Sequence, residues 1–117
     1  MPELRRYCAK DGRQPFSDWL NGLKDKSLMA RIRMRLRRVE TGNLGDCKSV
    51  GVGLLELRLH HGPGYRIYLG CHGDQLIILL GGGDKTTQQA DIRIARHRWT
   101  DWKERLHEEI QDQRFAS

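Results

Sequence analysis

Charged and apolar residues alternate along two segments in the middle of the chain. Leucines alternate with Glu56, Arg58 and His60 in the first segment, and Arg66 and Tyr68 alternate with apolar residues in the second. A period of two is typical of half-buried strands, and a glycine-rich turn separates the segments. We therefore predict a β-hairpin with these five side chains on its polar face.

The polar face of this predicted hairpin has groups suited to RNA cleavage by the substrate's own 2′-hydroxyl. That reaction needs a base near the hydroxyl, an acid near the 5′-oxygen, and cations around the phosphate. Glu56 or His60 is a candidate for the base or the acid. Arg58 and Arg66 are candidates for the cations, with Lys85 closing the site from the edge. This chemistry requires no metal and no cofactor.

The cluster depends on the register of the hairpin. Pairing Arg58 with Arg66 keeps the polar residues together, whereas a shift of one residue would split them between the two faces. Two opposed arginines repel one another, and an anion between them would offset that repulsion. Tyr68 would then stack on a base or donate a hydrogen bond. The alternative interpretation is a solvated sheet face with ordinary salt bridges.

The chain is basic, and its arginines are concentrated in one predicted helix. Its 117 residues suit one domain, and 21 Lys and Arg against 15 Asp and Glu give a formal charge of +6. Five arginines fall within residues 31–38, and three of them share a helix face. This density favours nucleic acid as a partner, or else marks a solvated helix face. The predicted RNA-binding residues are Arg31, Arg35, Arg38, Lys48, Tyr68 and Gln88.

The cysteines and histidines do not follow the spacing of a metal site. The three cysteines are Cys8, Cys47 and Cys71, an odd number with no CxxC motif. This pattern predicts free thiols rather than a disulfide framework or a zinc ribbon. The histidines at 60, 61 and 72 and the cysteine at 71 form neither an HxxxH nor a CxxC motif. We therefore predict no metal site and no cofactor.

No apolar run is long enough to span a membrane, and the first ten residues are charged where a secretory signal has an apolar core. These features predict a cytoplasmic protein without a membrane partner. No linker or internal repeat divides the sequence. We therefore predict a single domain over residues 1–117, with a frayed tail at residues 110–117.

The remaining pattern predicts the elements that position the polar face. A short strand precedes a helix that begins at Pro15, and a second helix covers Lys26 to Glu40. Strands follow, and a last helix begins after Gly81-Gly82-Gly83, with Thr86 and Gln89 as a capping box. We expect the glycines to form the turn into that helix, because the spacing of a phosphate loop is absent. This order is typical of an α+β domain with helices on an antiparallel sheet.

Several short segments follow one another along the chain in a recognisable order. They are FSDWL from Phe16, GNLGD from Gly42, ELR from Glu56, GPGYRIY from Gly62, LLGGGDK from Leu79, and Gln88 with Asp91-Ile92. Together they resemble the RelE/ParE toxin superfamily, in particular its HigB-like branch of addiction-module killer proteins. The resemblance covers roughly residues 16–95.

The resemblance implies a RelE-like fold, a twisted antiparallel sheet with an N-terminal helical hairpin and a C-terminal helix. It implies a toxin of a type II toxin–antitoxin module that cleaves mRNA on the ribosome and so inhibits translation. The implied partners are the ribosome, mRNA and a cognate antitoxin of helix-turn-helix type. Operator DNA would be bound only through the toxin–antitoxin complex.

The resemblance also implies roles for individual residues. Arg66 matches the phosphate-binding arginine of the family, Arg58 lies on the strand that bears catalytic basic residues, and Lys85 falls near another catalytic cation. The best-known branch has lysines on the strand that here carries Glu56 and Arg58. It also has a tyrosine after the last strand, where this chain has Gln88 or Asp91. The identity of the base and the acid therefore stays open, with His60 among the candidates.

Two further functions fit the same scaffold. One is a gyrase-poisoning toxin of the ParE type without nuclease activity, although Arg58, Arg66 and Lys85 together argue against it. The other is a non-catalytic basic module that binds an antitoxin and DNA.

Overall fold

Five strands form one sheet in the computed structural model, which describes residues 1–116. The sheet order is β1-β5-β4-β3-β2. The elements in chain order are β1 (Glu3–Arg6), α1 (Pro15–Asn21), α2 (Lys26–Glu40), β2 (Cys47–Gly51), β3 (Leu54–Leu59), β4 (Tyr65–His72), β5 (Leu76–Asp84), a 3₁₀ turn (Lys85–Thr87) and α3 (Gln88–Ala116).

The sheet is mixed, so the prediction of a wholly antiparallel sheet was wrong. Strand β1 pairs with β5 in parallel, whereas the other neighbours are antiparallel. Parallel neighbours need a long crossover connection, and here two helices and three strands lie between β1 and β5. The α+β class is confirmed, while the RelE-like assignment and the N-terminal helical hairpin stay predictions.

Apolar side chains cover both faces of the sheet. On one face, Leu57 and Ile67 pack with Phe16 of α1 and Ile32 of α2, and all four are fully buried. On the other face, a second cluster contains Tyr68, Leu80, Ala95 and Trp99, the last two contributed by α3. A polar residue in the middle of β3 or β4 is therefore removed from water on either face.

The helices begin where the sequence offers caps, with one exception. Pro15 is the first residue of α1, and the Asp25 side chain accepts from the Leu28 N–H at the start of α2. The capping box predicted for Thr86 and Gln89 was wrong. The Asp84 side chain accepts from the Thr86 N–H instead and opens the 3₁₀ turn that leads into α3.

The three glycines at 81–83 belong to β5, so the predicted turn at this point was also wrong. They pair with β4, and Arg66, Ile67 and Tyr68 are the partners of Gly83, Gly82 and Gly81. A methyl group on any of the three would collide with a neighbouring side chain. Glycine is required here because side chains of α1 and α3 lie against the backbone of β5, and not because the chain turns.

Helix α3 is the longest element and continues through Ala116. Ala95 and Trp99 on its inner face are buried. The fraying expected of residues 110–117 stays a prediction, and Ser117 lies outside the described residues. None of the helices within residues 1–116 combines the length and the apolar character needed to cross a membrane.

Candidate functional site

The β3–β4 hairpin has the register that keeps the polar residues on one face. Arg58 is the partner of Arg66, and Glu56 is the partner of Tyr68. Residues 60–64 connect the strands, an odd number of residues, as the predicted parity requires. The expected grouping of these four side chains is therefore confirmed, and α3 packs over the same face.

Glu56 is the centre of the cluster and is completely buried. Tyr68 Oη donates to Glu56 Oε2 at 3.3 Å, and Gln88 Nε2 donates to the same oxygen at 3.1 Å. Arg58 Nε lies 3.4 Å from Glu56 Oε1. The carboxylate thus has partners from β3, β4 and α3, so its orientation is fixed from several sides.

Arg66 faces the same carboxylate without a well-formed hydrogen bond. Its Nε lies 3.5 Å from Glu56 Oε1, an ion-pair distance, yet this buried N–H has no hydrogen-bond partner within residues 1–116. Only 14% of the Arg66 side chain is exposed, against 34% for Arg58. Two guanidinium groups therefore share one carboxylate, and the excess positive charge favours an anion beside them.

The Tyr68 hydroxyl remains a hydrogen-bond donor. Burial raises its pKa well above the ordinary value, and the negative charges of Glu56 and Asp91 raise it further. The residue as a whole is only 1% exposed, so its ring offers no open face on which a nucleobase could stack. Of the two roles that the sequence allowed, this position favours hydrogen bonding over stacking.

His60 lies just beyond the end of β3 and outside the Glu56 cluster. Its Nε2 is 2.8 Å from Asp46 Oδ2, and 83% of its side chain is exposed. Lys48 and Lys85, which together with His60 are called the exposed rim, are also open to solvent. Lys48 is the β2 partner of Glu56, and the Lys85 N–H donates to Gly64 O at 3.2 Å. Within residues 1–116 no hydrogen bond or ion pair joins these three side chains to the Glu56 carboxylate, and His60 borders a cavity that it shares with arginines of α2.

The arginines of α2 form a separate region on the opposite face of the sheet, and two of them donate to backbone carbonyls. Arg35 donates to the carbonyls of Leu44, Asp46 and Arg58. Arg31 donates to the carbonyl of His60. An open cavity of about 290 Å³ lies here, lined by Arg31, Met34, Arg35, Arg38, Leu59 and His60.

A second cavity adjoins the cluster and contains residues that were not among the predicted site residues. Its lining includes Trp19, Asp91 and Arg98. Arg98 donates to Leu80 O at 2.8 Å, and burial lowers its pKa. The spacing of seven between Asp91 and Arg98 places them on one helix face, which was the available indication in the sequence. Within residues 1–116, no three His, Cys, Asp or Glu side chains are grouped to hold a metal ion.

Comparison with known proteins identifies the class of protein to which this fold and site belong. Residues 18–100 match the family described as "Phage derived protein Gp49-like (DUF891)". This is a toxin-like family related to RelE and HigB, usually found as the toxin of a toxin–antitoxin pair. Because the match covers most of the chain, the protein belongs to the Gp49-like family.

A relative from Haemophilus influenzae is similar over much of its length. That protein, named only as uncharacterised, is 48% identical over 81 residues. The alignment covers 69% of this chain and 82% of the relative.

Proposed function

We propose that this protein is the toxin of a type II toxin–antitoxin module and acts as a ribosome-dependent mRNA endoribonuclease that inhibits translation. Membership of the Gp49-like family supports the toxin role. The observation that carries the nuclease role is the pair Arg58 and Arg66, which converge on the single buried carboxylate of Glu56. One negative charge cannot neutralise two guanidinium groups, so the pair is suited to binding a phosphate.

In this mechanism the arginines bind the scissile phosphate and stabilise the charge that develops on it. Glu56 has no exposed surface, so it cannot reach a 2′-hydroxyl from its place beneath the arginines. Its proposed role is to hold Arg58 and Arg66 in position, with Tyr68 and Gln88 fixing the carboxylate in turn. The base or acid role expected of Glu56 is therefore less suited to this position than a positioning role.

The proton-transfer groups are proposed to come from the exposed rim. His60 is two residues beyond Arg58, is open to solvent, and is oriented by Asp46, as a general base requires. Lys85 and Lys48 would contribute further cations toward the phosphate. This proposal involves no metal and no cofactor.

The partners follow from the proposed activity. Exposed arginines of α2, Arg31 and Arg38, are proposed to contact ribosomal or messenger RNA. Arg35 is proposed to serve mainly the fold, because it donates to three carbonyls. A cognate antitoxin, proposed to be of helix-turn-helix type, would neutralise the toxin and carry the complex to operator DNA. Translation takes place in the cytoplasm, which is the proposed location.

The test is to map mRNA 5′ ends in cells after brief induction of the wild type, Arg66→Ala and Arg93→Ala. Arg93 is an exposed arginine of α3 away from the cluster, so Arg93→Ala controls for loss of one positive charge. We expect new cuts within translated regions for the wild type and Arg93→Ala, and none for Arg66→Ala.

Circular dichroism and thermal unfolding of purified Arg66→Ala would establish that the variant folds, and Arg66→Lys provides a second, milder change. Arrested growth with intact mRNA in cells expressing the wild type would contradict the nuclease role. Full cutting by folded Arg66→Ala would show that the phosphate site lies elsewhere.

A further inference from the structure

A cavity of about 160 Å³ opens at the edge of the sheet between α1 and α3. Strand β1 pairs with β5 only from Leu76 to Leu79. Past that point the β1 side of β5 is left without a strand among the described residues. Gly81 and Gly82 border the resulting space, with Trp19 of α1 on one side and Arg98 of α3 on the other.

The glycine run of β5 determines which side chains reach this cavity. Trp19 packs directly against Gly82, and a methyl group at that position would displace its ring. Arg98 Nη1 lies 2.7 Å from the place that a Cβ of Gly81 would occupy. Asp91 approaches Gly83 even more closely. The glycines thus bring an aromatic ring, a cation and a carboxylate to one short stretch of backbone.

Asp91 and Arg98 retain hydrogen-bonding capacity within the cavity. Asp91 Oδ2 accepts from Thr87 Oγ1, and Arg98 Nη1 donates to Leu80 O. Within residues 1–116 the two side chains form no salt bridge with each other. They are seven residues apart on α3, which separates their backbones by about 10 Å along the helix axis. A carboxylate acceptor and a guanidinium donor therefore border the same space from its two ends.

We propose that this cavity receives a single nucleobase of the RNA substrate, and that Asp91 and Arg98 together select guanine. The RNA origin of the base rests on the proposed function, whereas the cavity and its chemistry do not. Guanine offers two N–H groups on its Watson–Crick edge to a carboxylate. Its O6 and N7 atoms are the acceptors that arginine binds best.

The size of the cavity suits one six-membered ring. A cavity of about 150 Å³ takes up benzene, and this one is similar in size, so a guanine base would enter it in part, with the rest of the nucleotide outside. Trp19 provides aromatic surface, and single-stranded RNA is commonly recognised by splaying a base onto such a side chain. Pro15 and Ile94 complete the apolar part of the lining.

The cavity is connected to the phosphate site through Tyr68. Tyr68 is among the residues that border the cavity, and its hydroxyl donates to Glu56, the carboxylate that Arg58 and Arg66 share. A base held by Asp91 and Arg98 would therefore lie beside the arginine pair. A base bound in the cavity would determine which phosphate of the RNA lies beside Arg58 and Arg66. The cavity would therefore set the base preference of cleavage.

The first experiment measures binding to the isolated protein without any cleavage. In ¹H–¹⁵N NMR spectra we would follow the Trp19 indole and the Gly81 and Gly82 amides during titration with guanosine 5′-monophosphate. Ribose 5-phosphate is the matched probe, because it has the same phosphate and no base. We expect saturable shifts of these three signals with the nucleotide and none with the sugar phosphate.

Variants then test the two polar groups. Asp91→Asn and Arg98→Gln should each weaken binding of guanosine monophosphate by roughly tenfold or more, because each removes a bidentate contact to the base. The controls are Asp18→Asn on α1 and Arg93→Gln on α3, both at exposed positions outside the cavity lining. Neither control should change the affinity, and the amide spectrum of each variant reports directly whether it is folded.

Three outcomes would overturn the proposal. One is an equal response to ribose 5-phosphate, and another is unchanged affinity in folded Asp91→Asn and Arg98→Gln. The third is that the Trp19, Gly81 and Gly82 signals move only with an antitoxin segment, which would make the cavity a peptide site.

The second experiment compares the base composition at mapped mRNA cuts for the wild type and Asp91→Asn. We expect a guanine preference that Asp91→Asn reduces while cutting continues. Nucleotide binding without any mRNA cutting would support the cavity and reject the proposed function. Cutting whose base preference is the same in both proteins would reject the cavity and retain the function.

Discussion

Two arginine-rich regions of this protein differ in what their guanidinium groups contact. On α2, Arg35 donates to backbone carbonyls of Leu44, Asp46 and Arg58. On the hairpin, Arg58 and Arg66 both face the single carboxylate of Glu56, and the buried Arg66 Nε has no hydrogen-bond partner within residues 1–116. The donors of Arg35 are therefore used by the fold, whereas the Nε of Arg66 is not.

The difference shows that arginine density alone does not locate a ligand site. A guanidinium that donates to carbonyls stabilises the chain segments that it connects and has fewer donors left for a phosphate. A guanidinium that shares one buried carboxylate with a second arginine retains both charge and donors. The hairpin is therefore the better candidate for the phosphate, and the exposed arginines of α2 are better suited to weaker, sequence-independent contacts.

The largest effect is expected from Glu56→Gln. Removing the buried negative charge leaves Arg58 and Arg66 facing each other without compensation, and loss of one partner of a buried ion pair typically costs about 3 kcal/mol. We expect a lower free energy of unfolding by about that amount in urea titrations. Glu104→Gln, at an exposed position of α3, should be unchanged. Equal stability of Glu56→Gln and the wild type would mean that solvent already satisfies the arginines.

A smaller loss of stability is expected from Arg35→Gln. The shorter side chain cannot reach all three carbonyls, and hydrogen bonds from a charged donor each contribute about 1.5–3 kcal/mol. Because the glutamine amide can still donate to some of these carbonyls, we expect a net loss of about one such hydrogen bond, so that the free energy of unfolding falls by about 2 kcal/mol. Arg38→Gln, an exposed change on the same helix, should alter it by no more than about 0.5 kcal/mol. Equal effects of the two changes would remove the distinction between structural and available arginines on α2.

The periodicity of the sequence predicted much of the fold. The helix predicted over Lys26–Glu40 is observed with the same bounds. The parallel pairing of β1 was not predictable, since a four-residue strand carries no information about its neighbour. The turn predicted at Gly81-Gly82-Gly83 is not observed, and glycine in a strand interior often marks a place where another group approaches the backbone closely. Here it allows Trp19, Arg98 and Asp91 to approach the backbone.

The grouping of four polar side chains on one face was predictable, but their environment was not. Alternation placed Glu56, Arg58, Arg66 and Tyr68 on one face, and the register confirms this grouping. The burial of Glu56 depends on α3 packing over that face, which the local sequence of β3 cannot show. By alternation His60 would share the face of Glu56 and Arg58. Strand β3 ends at Leu59, however, and the His60 ring forms a hydrogen bond with Asp46 instead.

The salt dependence of ribosome binding distinguishes the two kinds of arginine more finely. If Arg38 contacts a phosphate, its replacement should reduce the slope of log affinity against log salt by about one unit. We expect this result for Arg38→Gln and a nearly unchanged slope for folded Arg35→Gln. The measurement is binding of each purified variant to ribosomes over a series of salt concentrations. Identical slopes for the wild type and Arg38→Gln would exclude Arg38 from the docking surface.

The smallest effect concerns the contact that holds α2 to the hairpin, between Asp25 and His61. The hydrogen bond from His61, followed by that from the Leu28 N–H, lowers the pKa of Asp25 below its ordinary value of 3.8. A lowered carboxylate pKa contributes stability above the ordinary value, and that contribution is lost as the pH falls through the lowered pKa. Asp25→Asn keeps the helix cap, because asparagine caps as well as aspartate, but removes the charge.

We therefore expect Asp25→Asn to be slightly less stable than the wild type at pH 5. The difference should narrow as the pH falls below the ordinary value of 3.8. Thermal unfolding of both proteins between about pH 5 and pH 2 covers this range. A difference that persists unchanged to the lowest pH would show that charge on Asp25 does not hold α2 in place. The link between α2 and the hairpin would then depend on packing and on the hydrogen bonds from Arg31 and Arg35 to the carbonyls of His60 and Arg58.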